Sequence, residues 1–321
     1  MISIGGYFEL ELQKRKKQLH ADSVKLNTGR NALAYILKNQ GYTKLYLPYF
    51  ACDVLLQPLK ALQIQYEHYP IDHNLDPIFD FSKIGPNEAF LYINYFGLKG
   101  NQLAEIKQRV PNLIADNCQA YFEKPMSGVD TFYSPRKFFG VPDGGYAYCT
   151  KNTFAVLEKD ISYQRMEHLT KRIDLGAENG YADFRHNEML LDQAPIRQMS
   201  ELSDRLMQAV NHAKAGKIRR QNFMHLHEQL KQSNQFPISL GQEAIPLVYP
   251  YWPKADGLRE HLNKHKIYTA QYWPNVLSWC DSSTIEYQLA SNVIPLPIDQ
   301  RYNKSVCNTI TRIIFEYVNN R

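Results

Sequence analysis

Short apolar runs and helical patterns alternate along the first half of the chain. The apolar or alternating runs predict strands at 44–47, 64–69, 89–94, 113–115 and 146–149. Between them, apolar residues recur every three or four positions, which predicts helices over 31–38, 55–62 and 103–110. Repeated strand–helix units are typical of a mainly parallel sheet with helices on both faces. The pattern therefore predicts an α/β fold.

The second half begins with a long helical pattern from about residue 200 to residue 232. Ser200 is a suitable N-cap for this helix, and Glu201 is an acidic residue in its first turn. Beyond residue 235 we expect a smaller α+β unit, with strands at 245–250 and 267–271 and helices at 257–265 and 304–318. The pattern thus predicts a large domain over 1–215 and a small C-terminal domain over 216–321.

Composition and charge narrow the possible classes of function. The 321 residues are 44% hydrophobic and 21% charged, which is ordinary for a globular protein and excludes low-complexity and coiled-coil chains. The net charge is only +5 and the basic residues are scattered, so we expect no nucleic-acid partner. No apolar stretch reaches the ~18–20 residues of a membrane span, and the N-terminus lacks the apolar stretch of a signal peptide.

The five cysteines, at positions 52, 118, 149, 280 and 307, are far apart and odd in number. Because none of them has CxxC spacing, the sequence indicates neither a zinc site nor a disulfide framework. Free cysteines without a signal peptide are typical of the reducing cytoplasm, where we expect this protein.

The segment 27–33 opens a helix with a glycine-containing turn. A helix N-terminus presents free backbone N–H groups and the positive end of the helix dipole, and so it suits a phosphate. Thr28 and Asn31 have hydrogen-bonding side chains, and Arg30 adds a positive charge. The same pattern also fits an ordinary capped helix, so both interpretations stay open.

Two charged residues lie where chemistry is expected. Asp116 ends an apolar strand, and open α/β sheets bind ligands at the carboxyl ends of their strands. Lys137 lies among aromatic residues, where burial lowers the pKa of a lysine and makes it a nucleophile or proton carrier. The alternatives are a turn-forming or helix-capping aspartate and a surface lysine between two strands.

The order of these motifs resembles a known family. Its members show a Gly-Thr helix opening, a Pro-aromatic segment, a Glu-Asp-x-x-Gln-Ala motif, whose Glu is Ala115 here, and a Pro-x-Lys followed by a Gly-Gly turn. This sequence has the corresponding residues at 28–33, 47–50, 115–120, 134–137 and 143–145. The chain resembles the pyridoxal-phosphate (PLP) enzymes of the aspartate-aminotransferase fold, and among them the DegT/DnrJ/EryC1/StrS sugar aminotransferases. That resemblance implies a seven-stranded, mostly parallel sheet and assigns cofactor binding to the large domain.

The resemblance also implies a role for each matching residue. Lys137 would form the Schiff base with the cofactor, and Asp116 would pair with the pyridinium nitrogen and tune its electronics. Gln119 would hydrogen-bond the 3-oxygen of the cofactor ring. The cofactor phosphate would be held by a set of four residues, Gly29, Arg30, Asn31 and Ser134.

An aromatic residue from the segment after Pro48 would stack on the cofactor ring. Phe50 is the preferred residue, and Tyr49 or Cys52 takes its place if the match shifts by one or two positions.

The function implied by the resemblance is transfer of an amino group from glutamate to a keto-sugar, linked to a nucleotide, in polysaccharide synthesis. A homodimer is expected, because enzymes of this fold usually build their sites at the subunit contact. Two alternatives stay open: another PLP-dependent reaction, such as a dehydratase or lyase, and a non-catalytic regulatory or binding protein. The family's usual Ser five residues before the lysine is Phe132 here, which favours the last alternative.

Overall fold

The computed structural model describes residues 4–15, 18–151 and 156–319. Within these ranges the strands are β1 (Val24–Leu26), β2 (Lys44–Pro48), β3 (Gln65–Tyr69), β4 (Glu88–Ile93), β5 (Leu113–Asp116), β6 (Asp130–Tyr133), β7 (Gly145–Tyr148), β8 (Val248–Tyr251) and β9 (Ile294–Pro297). The α-helices are α1 (Gly29–Gln40), α2 (Leu56–Ala61), α3 (Gln102–Arg109), α4 (Glu167–Asp174), α5 (Tyr181–Asp192), α6 (Glu201–Ala209), α7 (His212–Leu230), α8 (Leu258–Lys264), α9 (Val276–Trp279), α10 (Ile285–Asn292) and α11 (Lys304–Asn319).

Seven strands form one sheet in the order β1-β7-β6-β5-β4-β2-β3. The five strands from β6 to β3 are parallel, whereas β7 runs antiparallel to both β6 and β1. The central strands β4 and β5 are buried along almost their whole length, as the continuous apolar run at 89–94 predicts for a strand covered on both faces. The predicted seven-stranded, mostly parallel α/β sheet is confirmed.

Residues next to the first helix in the sequence cap both of its ends. The Thr28 hydroxyl caps the start of α1 by accepting a hydrogen bond from the Asn31 N–H at 2.9 Å. Gly41 ends the helix in the left-handed region, with φ at 72°, and donates its N–H to Leu37. Apolar side chains on one face of α1 are buried against β6 and β7, so the start of the helix lies beside the end of β6.

The C-terminal residues form the predicted smaller unit. Strands β8 and β9 pair antiparallel, and helix α11 packs on both α7 and α8. The proposed boundary at residue 215 lies inside α7, so the division into two domains stays a prediction.

Three details differ from the sequence predictions. The long helix from residue 200 is two helices, α6 and α7, because Asn211 caps a new helix start by accepting the Lys214 N–H. No strand forms at 267–271, since β8 already pairs with β9. The short strands β1 and β6 were not predicted, because three or four residues carry too little periodicity to be recognised. Among the described residues, none of the helices has the length and apolarity needed to cross a bilayer.

Candidate active site

Asp116 lies at the carboxyl end of β5, in the middle of the sheet edge where open α/β sheets bind ligands. Its side chain is buried, and one carboxylate oxygen accepts the Cys118 N–H at 2.8 Å. Burial raises the pKa of Asp116 above its ordinary value, and the nearby Lys137 charge and the Cys118 N–H oppose this rise. Asp116 therefore keeps its negative charge in this position only with a compensating positive charge.

Lys137 supplies that charge from the neighbouring strand. A single turn of 3₁₀ helix, Pro135–Lys137, follows β6 and directs the lysine into a cavity. The Lys137 side chain is open to this cavity, while protein surrounds the cavity on its other sides. The structure thus brings the two predicted chemical residues to one edge of the sheet, close enough for their charges to interact.

The pKa of Lys137 shifts in the direction opposite to the one expected from burial alone. Desolvation by itself lowers this pKa, but the acidic groups of Cys118 and Asp116 that face the amine raise it further, so the net shift is upward. The lowered pKa predicted from the aromatic surroundings is therefore wrong for the protein without a ligand. In the protein without a ligand, Lys137 is therefore a cation, and the negative charge of Asp116 stabilises it.

Gly29 forms a close-packed junction between three segments of the site. A Cβ atom at this position would lie 3.1 Å from the Cys118 Sγ and 3.2 Å from the Ser134 Cβ. The start of α1, the turn after β5 and the residue after β6 therefore meet at one point. The predicted phosphate residues Gly29 and Ser134 are neighbours here, with the positive end of a helix dipole beside them.

The other two predicted phosphate residues are engaged elsewhere. The Arg30 guanidinium forms an ion pair with Asp192 at 2.9 Å and a short hydrogen bond to Gln57. The Asn31 side chain donates to Asn27 and to two backbone carbonyls. The Asn31 backbone N–H donates to the Thr28 hydroxyl. Their side chains are thus committed to holding α5 and the loop after it, which sequence spacing does not reveal.

Gln119 presents a buried hydrogen-bond donor without a partner. Its side-chain oxygen accepts the Phe96 N–H at 2.7 Å, which determines the orientation of the amide. Its Nε2 atom is buried and meets no acceptor among the described residues. A buried amide left unpaired costs free energy, so this group fits an acceptor supplied by a ligand.

The choice of the residue that would stack on the cofactor ring stays a prediction. The Phe50 side chain is fully buried, and its ring packs on Tyr95 and Trp273. The alternative Cys52 is half-buried, and its thiol interacts electrostatically with Lys137 and Asp116. Neither Phe50 nor Cys52 lines the cavity beside Lys137.

Tyr272 reaches the site from the C-terminal unit. Its phenol is half-buried, and burial raises its pKa while the Lys137 charge lowers it. No local pattern marks this tyrosine, because its approach to Lys137 depends entirely on how the loop after α8 packs.

The Gly-Gly turn after Lys137 is anchored by a buried carboxylate. Asp143 accepts hydrogen bonds from the Ser200 N–H at 3.0 Å and from the hydroxyls of Ser200 and Ser203. A Cβ atom on Gly145 would lie 2.2 Å from the Thr28 carbonyl oxygen, so only glycine permits this approach to α1. Asp143 and Gly145 together fix the turn against the predicted phosphate site.

Among the residues described, no three His, Cys, Asp or Glu side chains are arranged to hold a metal ion.

Comparisons with known proteins bear on the fold. No protein-family model matches the sequence, and no curated protein matches it by sequence. Solved structures do match. DesV from S. venezuelae, in complex with a ketimine intermediate, has a TM-score of 0.65 and 16% identity over 92% of this chain and 84% of its own.

Two further structures agree with this match. A DegT DnrJ EryC1 StrS aminotransferase from Brucella abortus has a TM-score of 0.61 and 14% identity, covering 92% of this chain and 85% of its own. The PLP form of Spr1654 from Streptococcus pneumoniae has a TM-score of 0.63 and 12% identity, covering 90% and 85%. The chain therefore has the fold of these aminotransferases, as the sequence resemblance predicts.

Proposed function

We propose that the protein is a PLP-dependent aminotransferase of the DegT/DnrJ/EryC1/StrS type, which moves an amino group from glutamate to a nucleotide-linked keto-sugar. The observation that carries this proposal is the pairing of Lys137 with Asp116 at the carboxyl edge of the sheet. The fold shared with sugar aminotransferases supports it, and so does the similarity to Spr1654, whose structures include PLP and PMP forms.

The residues present fit pyridoxal phosphate. Asp116 is a buried carboxylate suited to a protonated ring nitrogen, and Lys137 is an amine that interacts electrostatically with it and lines a cavity. Gln119 supplies a donor that lacks a partner in the described chain, and Gly29 and Ser134 pack closely at the start of a helix. Three segments of the chain thus provide groups whose chemistry matches that of the cofactor.

Pyridoxal phosphate, when bound, supplies an aldehyde for covalent attachment and a ring that accepts electrons. Lys137 would hold the cofactor through its Nζ atom, and the same nitrogen, as a free amine, would carry a proton. Asp116 would pair with the ring nitrogen, and this positive partner would favour its ionised form. Gln119 would orient the ring by donating from Nε2.

We also propose that the protein works as a cytoplasmic homodimer. Two observations support this extension. The side chains of Arg30 and Asn31 are committed within the chain, which leaves few side-chain donors for a phosphate. Apolar side chains near the end of α5 are exposed, among them Met189 and Leu190, and a second copy would cover them.

The experiment is a visible spectrum of the purified protein with pyridoxal phosphate, before and after glutamate. We expect a band near ~420 nm that glutamate converts to the pyridoxamine form, and a borohydride-reduced adduct at Lys137 that the Lys137→Ala variant lacks. A band that glutamate does not change would favour a dehydratase, a lyase or a non-catalytic protein. Absence of any adduct in the wild type would contradict the proposal.

A further inference from the structure

Beside Lys137 lies a cavity of about 520 Å³ between the catalytic turn, helices α4 and α5, and the loop after β9. Its size is that of a small-molecule site. Because it opens next to the reactive amine, it is the space through which an acceptor would approach. The inference drawn here therefore rests on the proposed function and concerns what the acceptor carries.

The charge of this cavity is strongly positive. Five cationic residues line it, and Asp299 is the one carboxylate among its described lining residues. The cations are Arg136, Lys137, Arg172, Arg219 and Arg301. Burial lowers the pKa of His168, which also lines the cavity, so this ring adds no charge at neutral pH.

Most of these cations already have partners. Arg301 forms a bidentate pair with Asp299, at 2.7 and 2.9 Å, and Arg136 pairs with Glu188. Arg219 donates to Gln300 and to two backbone carbonyls. These three guanidinium groups form part of the cavity wall. A ligand could bind them only if their existing hydrogen bonds or ion pairs were broken.

Arg172 is different. It lies on α4, lines the cavity and is exposed, and it has no hydrogen bond or ion pair with any described residue. The adjacent Lys171 is paired with Asp183 on α5, which holds the two helices together and leaves Arg172 on the cavity side. An uncommitted guanidinium at the mouth of a positive cavity is suited to bidentate binding of an anion.

An apolar platform lies next to this group. The rings of Tyr181 and Phe184 on α5 line the same cavity, stack 6.2 Å apart and remain exposed. A flat apolar surface beside a free guanidinium suits a ligand that joins a ring to a phosphate.

We propose that Arg172 is the specificity-determining residue that binds a phosphate of the amino acceptor and thereby selects anionic over neutral keto-sugars. Loss of Arg172 should therefore weaken the binding of a phosphate-bearing acceptor.

The test compares wild type, Arg172→Ala, Arg172→Lys and Arg312→Ala. Arg312 is an exposed arginine on α11 that does not line the cavity, so it is a matched control. Titration calorimetry with inorganic pyrophosphate, UDP and glucuronate measures binding directly. Loss of Arg172 should weaken pyrophosphate and UDP binding by roughly 10-fold or more, the lysine variant should recover part of it, and the control should match wild type.

The outcomes separate this inference from the proposed function. Equal pyrophosphate and UDP binding by wild type and Arg172→Ala, or no measurable binding by either, would overturn it even if glutamate still gave the pyridoxamine form. An effect confined to glucuronate would overturn the phosphate assignment. A change of sedimentation in Arg172→Ala would mean that the residue lies in a subunit contact, which also contradicts the proposal. Absence of a PLP band would defeat the proposed function while the binding result stood.

Discussion

The side-chain oxygen of Gln119 accepts a hydrogen bond from the backbone N–H of Phe96 at 2.7 Å. Phe96 lies in a tight turn with φ at 57°, and the following Gly97 is so close to the Gln119 carbonyl that a Cβ would lie 3.0 Å from it. The turn after β4 thus fixes the orientation of the Gln119 side chain. Its amide nitrogen has no hydrogen-bond partner among the described residues. This one contact decides which end of the side chain is available for a ligand.

Gln119→Glu should weaken cofactor binding. The substituted carboxylate can still accept the Phe96 N–H, but it cannot donate, so one hydrogen bond to the cofactor is lost. A net hydrogen bond of about 0.5–1.5 kcal/mol predicts a roughly 2- to 12-fold higher dissociation constant for pyridoxal phosphate. Absorbance titration measures it, with the exposed Gln65→Glu as the control. Unchanged affinity would mean that Nε2 does not meet the cofactor.

Asp116→Asn should make Lys137 reactive at lower pH in the cofactor-free protein. The carboxylate contributes to raising the pKa of Lys137, so removing its charge lowers that pKa. Trace labelling with acetic anhydride across a pH series, read by mass spectrometry, should show the labelling profile of Lys137 shifted to lower pH. Exposed Lys254 in the same digest corrects for reagent decay. An unshifted profile would show that the two charges do not interact.

The electrostatic interaction between Lys137 and Asp116 also predicts how stability changes at alkaline pH. Because the pKa of Lys137 is raised in the folded protein, its contribution to stability is present below the pKa of an unfolded lysine and is lost as the pH rises through the folded value. Lys137→Met should therefore show a smaller loss of stability between neutral and strongly alkaline pH than wild type. Urea unfolding at matched pH values measures the difference, and equal slopes would argue against a stabilising pair.

Gly145→Ala should destabilise the protein by about 1–3 kcal/mol, the usual cost of overpacking. The added methyl group would lie 2.2 Å from the Thr28 carbonyl oxygen and 2.8 Å from the Gly29 nitrogen, both of them backbone atoms that must move. Thermal unfolding checks this, with Gly241→Ala as control, since a Cβ there meets its nearest atom at an ordinary 3.5 Å. If both variants have the same melting temperature as wild type, the close approach of β7 to α1 is not required for stability.

Cys52 should be protected from alkylation by the cofactor. It is half-buried, and its thiol interacts with Lys137 and Asp116, so a bound ring would cover it. Iodoacetamide labelling followed by peptide mapping should be slowed at Cys52 by pyridoxal phosphate, whereas Cys149 and Cys280, which are also half-buried, should react equally with and without it. Protection of all three alike would indicate a general tightening of the fold and not contact with the ring.

The sequence by itself determined the alternating strand–helix order, the caps of α1 and α6, and the positions of Asp116 and Lys137, because periodicity, capping residues and strand ends are local properties. Local patterns could not show that Arg30 would pair with Asp192, that the Cys52 thiol would interact with Lys137, or that Tyr272 would approach Lys137. Each of these depends on contacts between residues more than 80 positions apart or on the exact course of a turn. The direction of the Lys137 pKa shift likewise required the tertiary structure, since it depends on which charges face the amine.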